Sequence, residues 1–480
     1  MSSIIFRADA NNAMGLGHLV RASALAEMLK DDYHCILATR CKMESLLKEI
    51  STAFIEIISL SEVSYTEEAK FFDKISSKEN LVVLDGYNFD DVYQQELFQK
   101  GYDIFSIDDI HAFNFYSKVI INHSGGFTPL HYHSLPFTQF YLGPRYSLLR
   151  QPFLKAAQNR RNSITDKNCF VCFGGADPNN RTMQVLKKDT IRHYFEKLHV
   201  VVGNAYQYKN ELEVFVKDKE KIVIHCALSP TDMVAIMKQC SYAICSPSTV
   251  VYEYLSVGGI VFLDQIADNQ KDVISYFLKD GMAFSPDLIG CLTNKDVASS
   301  FTKQSLLFDG ASDQRFRRLF HQHFESKKLD IRKANERDLE ICFYWANDPE
   351  VRAQSYNQSP ITLPEHTTWF YNKLNDAYSY FYIFELNGNP IAQIRFQVSN
   401  NEAVLGYLVG EAIRSKGLGT SILSKGIEAF IKEYQKPVQI IGYVKKVNLP
   451  SQRSFERLAF VKYETNNYPD SYKYTMYYGN

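Results

Sequence analysis

IIFRADANNAMGLGHLVRASALAEMLK, residues 4–30, is the stretch whose reading decides the fold. Ile4 to Phe6 and then Ala8 read as a buried strand, a loop with Gly15 and Gly17 follows, and a helix starts near His18. Its apolar residues Leu19, Ala22, Leu25, Ala26 and Leu29 recur at spacings of three and four. A strand–glycine loop–helix unit brings backbone close to a phosphate and aims helix N–H groups at it. His18, in the first helical turn, sets an imidazole beside that anion site. An imidazole in that place can act as a base at neutral pH. One use is to deprotonate a water attacking a sugar carbon while a diphosphate leaves. The plainer use is a hydrogen bond to a ligand. A dinucleotide site fits poorly, because Val20 stands where a third glycine belongs and no acidic residue follows the second strand at Thr39-Arg40.

Outward from this unit, strands and helices alternate. Strands over 33–39, 54–58, 81–84, 103–107 and 118–121 end in polar residues, among them Asp85 and Asp109, as Asp9 follows the first strand. Polar clusters past strand ends mark ligand sites in parallel α/β sheets. Residues 124–166 are irregular and proline-rich, and the charged run NRRNSITDKN reads as a crossing into a second domain. There the pattern restarts, with Gly174-Gly175 after one strand, Ser248-Thr249 after another and Asp268-Asn269-Gln270 opening a helix. The expected architecture is α/β, two Rossmann-like halves of GT-B type over residues 1–150 and 151–328. A charged helical stretch over 311–330 closes the second half.

From residue 329 the text changes. Two helical segments lead into alternating strands joined by an Asn387-Gly388 turn, a hairpin signal. A basic glycine loop, Arg414-Ser415-Lys416-Gly417-Leu418-Gly419, then opens a helix and makes a second diphosphate nest. A nucleotide would suit such a nest as well as a coenzyme. Residues 329–480 are therefore expected to form an α+β domain with a mixed sheet.

Composition narrows the function classes. The 480 residues carry 53 basic and 54 acidic side chains, a net charge of −1, so nothing general points to nucleic acid or an anionic membrane. Nine scattered cysteines argue against a disulfide framework and for a reducing compartment. Cys169 and Cys172 form a CxxC inside FVCFGG, which reads as strand rather than as half of a zinc site. No apolar run reaches the ~18 residues of a membrane span and no leader pattern is visible, so a cytoplasmic enzyme is expected.

RADANNAMGLGHLVR, the LGPRYSLLR segment, FGGADP, SPSTVVYEYL and ADNQ together resemble the PseG family, hydrolases of UDP-2,4-diacetamido-2,4,6-trideoxy-β-L-altropyranose in pseudaminic acid biosynthesis. The resemblance spans roughly residues 4–285. It implies that His18, reached through Gly15 and Gly17, activates water for metal-free, inverting release of UDP. It also implies a substrate-binding role for Arg150, a nucleotide contact for Glu253 and an NQ pair at Asn269 and Gln270. Glu253 would accept ribose hydroxyl protons while the helix start at Ser248-Thr249 and the Gly174-Gly175 turn receive the diphosphate. Asp9, Asp85 and Asp109 are candidates for sugar amides and hydroxyls.

Residues 331–465 resemble GNAT N-acetyltransferases through the R-x-x-G-x-G signature and the N-x-x-S…F element at Asn448, Ser451 and Phe460. This implies acetyl-CoA as cosubstrate, held by Leu408, Val409, Arg414, Lys416, Gly417, Leu418, Gly419, Thr420 and Asn448. Many members carry a tyrosine seven residues past the asparagine as acid for the leaving thiolate; here the position is Phe455, which has no proton to give. Tyr443, Tyr463 or water could substitute, and Glu385, Glu402 or a water chain could deprotonate the amine. A PseH-like domain fused to a PseG-like one implies two consecutive steps on a UDP-amino sugar, acetylation at the 4-amino group and hydrolysis from UDP. The alternatives are a GT-B glycosyltransferase, a hydrolase of a related diacetamido sugar, or a third domain that is a separate acyltransferase or a degenerate binding module.

Overall fold

A computed structural model describes residues 1–11, 15–264 and 271–479; the candidates Asn269 and Gln270 lie outside the described residues. The first sheet is built from β1 (Ser3–Ala8), β2 (His34–Thr39), β3 (Glu56–Ser59), β4 (Leu81–Asp85) and β5 (Asp103–Ile107). A small ribbon pairs β6 (Asn114–Phe115) with β8 (His133–Ser134), while β7 (Val119–Asn122) and β9 (Gln139–Leu142) complete the sheet. Its order is β3-β2-β1-β4-β5-β7-β9 and every pairing in it is parallel. The continuous apolar runs of β1 and β4 follow from that: a parallel strand with helices on both faces has no solvent side.

The second half repeats the plan with β10 (Asn168–Cys172), β11 (Lys197–Val202), β12 (Ile222–Cys226), β13 (Tyr242–Cys245), β14 (Ile260–Leu263) and β15 (Ala283–Phe284). Its order is β12-β11-β10-β13-β14-β15. Cys169 and Cys172 are buried in β10, where burial pushes both thiols up, as the strand reading of the CxxC expects.

Two features depart from the expected boundaries. The crossing begins before the charged run: the Gln151–Gln158 helix already packs across the halves, and one apolar core runs from Phe6 through Phe153 and Leu154 to Phe170 and Tyr254. Second, the charged Ser312–Lys327 helix does not stay with the second half. It returns to the first, where Phe320 lies 5.2 Å from Phe105 and Phe324 stacks 4.9 Å from Tyr33. An amphipathic pattern declares an apolar face without naming the surface it covers.

The third domain is a mixed seven-stranded sheet of β16 (Leu329–Lys333), β17 (Ser379–Leu386), β18 (Asn389–Ser399), β19 (Glu402–Val409), β20 (Val438–Lys445), β21 (Val461–Glu464) and β22 (Ser471–Tyr478). Its order is β16-β17-β18-β19-β20-β22-β21, antiparallel except where β19 meets β20. The Asn387-Gly388 turn joins β17 to β18 with both residues at positive φ, 53° and 75°, as a tight hairpin demands. This domain docks on the first half. The Phe140 N–H of edge strand β9 donates to the Arg457 carbonyl at 2.9 Å, and the Arg457 guanidinium lies 5.1 Å from the Tyr141 ring centre. Ser424 Oγ donates to the Phe137 carbonyl at 2.7 Å, and Lys425 Nζ ties the end of the Ser312–Lys327 helix to β16 through the Ser326 and Leu329 carbonyls.

Candidate active sites

In the first sheet the chain order reverses between β1 and β4, the position where open α/β sheets place ligands at the carboxyl ends of their strands. The loop after β1 and the residue ending β4 meet there. The Gly17–Leu29 helix begins after Leu16, whose side chain makes no cap. Gly15 closes the preceding loop by donating its N–H to the Asn11 carbonyl at 2.8 Å, and Gly17 is the first helical residue.

His18 is only 4% exposed, with Nδ1 2.7 Å from Asp85 Oδ1. Arg21, one turn further along the same helix, donates Nε and Nη2 to the two Asp85 oxygens at 3.1 and 2.6 Å. Its Nη1 reaches Asp109 Oδ2 at 2.6 Å. Arg21 Nη2 also lies 2.9 Å from His18 Nδ1, but its contact with Asp85 is the shorter, so we assign the ring proton to Nδ1, donated to Asp85. That tautomer leaves Nε2 with a lone pair, held in orientation by a buried carboxylate. The Tyr87 ring meets the imidazole edge-on at 4.6 Å.

Burial opposes the charge on Arg21, yet Asp85 and Asp109 together hold its pKa well above the ordinary value. Burial likewise pushes the Asp109 carboxyl up, but the Arg21 charge prevails and keeps it below the usual range. Asp109 Oδ1 is buried and has no hydrogen-bond partner among the described residues, an acceptor beside the imidazole. His123, just past β7, lies 4.4 Å from the Tyr252 ring of the second half with the two planes tilted by 37°; burial and the Arg21 charge push it down to about 4, so it is neutral at pH 7.

Across the cleft the second sheet reverses between β10 and β13. Gly174 and Gly175 follow β10, with open space where a Cβ would stand on either. Ser248, after β13, precedes the Thr249–Val257 helix without capping it and bonds Ser246 Oγ at 3.0 Å instead. Arg150 and Glu253 are partners: Nε and Nη2 both reach Glu253 Oε1, at 2.8 and 2.7 Å. Burial raises the Glu253 carboxyl and Arg150 partly offsets it.

Asp9 does not join this group. Its carboxylate accepts from the Arg40 N–H (2.7 Å), Tyr65 Oη (2.9 Å) and Thr39 Oγ1 (3.2 Å) and pairs with Arg7 at 2.7 Å. Arg7 and Arg40 also bind Glu68, so Asp9 is part of a buried ionic network just past the end of β1. Arg21 and Tyr252 are cleft residues that sequence reasoning did not single out. The legible signal for Arg21 was its place three residues after His18, on the same helix face.

In the third domain β19 and β20 pair only from Glu402↔Gln439 to Leu405↔Gly442, although β19 runs on to Val409 and β20 to Lys445. Beyond Leu405 the arms part, and the β20-facing edge of Gly406–Val409, including Leu408 and Val409, is an unpaired strand edge. The glycine loop lies just after it. Leu418 precedes the Gly419–Tyr434 helix without a side-chain cap, Lys416 is exposed, and Thr420 Oγ1 donates to Ser454 Oγ at 3.1 Å. Arg414 pairs with Asp348 at 2.8 Å and donates Nε to the Val409 carbonyl at 3.1 Å. Asn448 caps the Leu449–Glu456 helix by accepting the Ser451 N–H at 3.2 Å. Phe455 is a core residue, stacked 5.1 Å from Tyr474. Glu385 is bound by Arg332 at 2.7 Å, and Glu402 stands exposed at the far end of β19. Among the described residues no cluster of three or more His, Cys, Asp or Glu is placed to hold a metal ion, and no helix is long and apolar enough to cross a membrane.

Residues 328–461 match the acetyltransferase (GNAT) domain family, so that stretch is a GNAT domain. The region before it resembles enzymes and proteins of sugar metabolism. It is 24% identical to the UDP-2,4-diacetamido-2,4,6-trideoxy-beta-L-altropyranose hydrolase of Campylobacter jejuni, over 58% of this chain and 97% of that protein. It is 25% identical to the spore coat polysaccharide biosynthesis protein SpsG of Bacillus subtilis, over 58% of this chain and 81% of that protein. An uncharacterized protein of Methanocaldococcus jannaschii aligns along 95% of this chain and 96% of its own length at 23% identity. A PseG-like region followed by a GNAT domain is consistent with a fusion of the two.

Proposed function

We propose that the chain carries two consecutive steps on one UDP-amino sugar. The GNAT domain transfers an acetyl group from acetyl-CoA to the 4-amino group of UDP-4-amino-4,6-dideoxy-N-acetyl-altrosamine, and the first two domains hydrolyse the diacetamido product to free sugar and UDP. The observation that carries the hydrolase reading is the His18–Asp85 pair at the mouth of an uncapped helix. Nε2 takes a proton from the water that attacks the anomeric carbon as the C–O bond to UDP breaks, and Asp85 stabilises the imidazolium that forms. Asp109 Oδ1 is placed to accept a sugar N–H or O–H. The helix start at Thr249 and the Gly174-Gly175 turn suit the diphosphate. The open edge of Gly406–Val409 suits the amides of a pantetheine arm, and the helix start at Gly419 its diphosphate. Joining the domains raises the local concentration of the intermediate.

The test supplies the UDP-4-amino sugar and acetyl-CoA and identifies the free product by NMR. Incubating the diacetamido UDP-sugar with no acceptor must release UDP; release only in the presence of an acceptor hydroxyl would make the first two domains a glycosyltransferase. His18→Ala is expected to cut UDP release by about 10²–10⁴-fold while acetyl transfer persists, and Asp85→Asn to lose a comparable factor by freeing the wrong tautomer. Gly417→Trp should do the reverse. Loss of both activities in every one of these variants would show that the sites are not independent.

A further inference from the structure

The geometry points to Tyr407 as the proton donor to the departing coenzyme A thiolate, in the place Phe455 leaves vacant. This rests on the acetyltransferase reading above. The other phenols named from the sequence are badly placed. Tyr463 is 50% exposed on the outermost strand β21. Tyr443 follows Gly442, whose Cβ direction runs into the Phe455 ring, so alternation along β20 turns Tyr443 to the opposite face, where its Oη accepts from Asn467 Nδ2 at 3.0 Å.

Tyr407 lies two residues past Leu405, the last β19 residue paired with β20. Its backbone stays registered on the other side, opposite Ile394 of β18. The side chain crosses from the open arm of β19 to the helix that follows β20, with Oη 3.0 Å from Ser451 Oγ. Ser451 is itself fixed by Asn448, and the Tyr407 ring meets Phe455 edge-on at 6.3 Å. The phenol thus links the open arm of β19 to the helix that follows β20, beside the buried phenylalanine. Burial raises the Tyr407 pKa while its hydrogen bond with Ser451 works against that rise, and the net upward shift keeps the proton on oxygen at neutral pH.

In the step assigned to it, the amine nitrogen has added to the thioester carbonyl. As the tetrahedral adduct collapses, the C–S bond breaks, its electron pair goes to sulfur, and the phenol proton passes to that sulfur. Ser451 Oγ returns a proton to the phenolate from solvent, while the nitrogen releases its surplus proton. One proton leaves nitrogen for each one gained by sulfur, and no further reactant is needed.

Tyr407→Phe removes the hydroxyl and keeps the ring. With the UDP-4-amino sugar as acceptor, kcat is expected to fall at least about tenfold, with KM for acetyl-CoA within about twofold. The fall in wild-type rate at high pH, where the phenol loses its proton, should vanish in the variant. A second readout needs no acceptor: titrating the ultraviolet absorbance of enzyme-bound coenzyme A should show its thiol ionising about one unit lower in the wild type than in Tyr407→Phe, because a donor facing sulfur favours the thiolate. A variant that keeps kcat within about twofold, or equal thiol titrations, would overturn the assignment. A wild type that leaves this sugar unacetylated yet shows the thiol difference would refute the substrate and uphold Tyr407. Failure of coenzyme A to bind would overturn both.

Discussion

Replacing Arg21 by methionine would leave Asp85 and Asp109 in a buried pocket without the cation that bridges them. Breaking a buried pair from one side costs about 3–5 kcal/mol, because the remaining charge has lost its partner. The expected result is a clear drop in urea midpoint together with loss of UDP release. Arg21→Lys should fall between, keeping the charge but not the fork that reaches three oxygens. The pH dependence has a fixed sign. Asp109 has its pKa lowered by folding, so its contribution is full above the unfolded carboxylate pKa of about 3.9 and is lost as pH falls through the folded value. Arg21→Met should remove that acid-limb contribution, read from melting temperatures as pH is taken from about 5 down to about 2. At this scale the sequence was half legible. His18, Asp85 and Asp109 stood out because polar residues past parallel strands collect at one rim. Asp9 has the same local context and a different fate, since Arg7, two residues earlier on the same face of β1, claims it. Arg21 looked like any helical arginine until two other strands supplied its partners.

The glycine loop of the third domain shows what a motif can and cannot say. Gly417 has φ 75°, in the left-handed region, and a Cβ there would approach Gln322 Nε2 of the Ser312–Lys327 helix. Gly417→Ala is expected to raise KM for acetyl-CoA and to destabilise the domain by about 1 kcal/mol. Adding Gln322→Ala would clear the space but not relieve the backbone, so the double variant should stay impaired; full recovery would mean that crowding alone was the cause. The motif's glycines were legible because only such residues let a chain turn there. The ion pair of Arg414 was not legible, because its partner Asp348 belongs to a distant helix start. That β19 and β20 pair for only four residues was not legible either: both strands carry apolar text throughout, and where they part is set by the packing of neighbours, not by either strand's own pattern.

The three domains meet along surfaces rather than through a tether. Strand β9 would present an open edge to solvent if the third domain were absent, and the Arg457 carbonyl occupies it. A chain ending at Lys328 would uncover that edge together with the apolar surface of Phe115, Tyr132 and Phe140 that packs against Ala459. Open edges recruit other strands, so this shortened chain is expected to elute as oligomers or precipitate, and size-exclusion chromatography checks it. A monodisperse shortened chain with unchanged UDP release would show the seam to be incidental. The restart of the strand–helix pattern and the change of text at residue 329 are the signals on which a three-part division is expected, but the route of the Ser312–Lys327 helix could not be read, since its partners Tyr33 and Phe105 lie far back in the chain. That helix touches the first half on one side and the Gly417 loop on the other. Its position bears on how such chains can change over generations. Modules strung on a slack tether can be exchanged one for another, but here a transplanted acetyltransferase would need its own counterpart of Arg457 for β9 and of the small residue facing Gln322, so the two halves of this pairing are constrained to drift together.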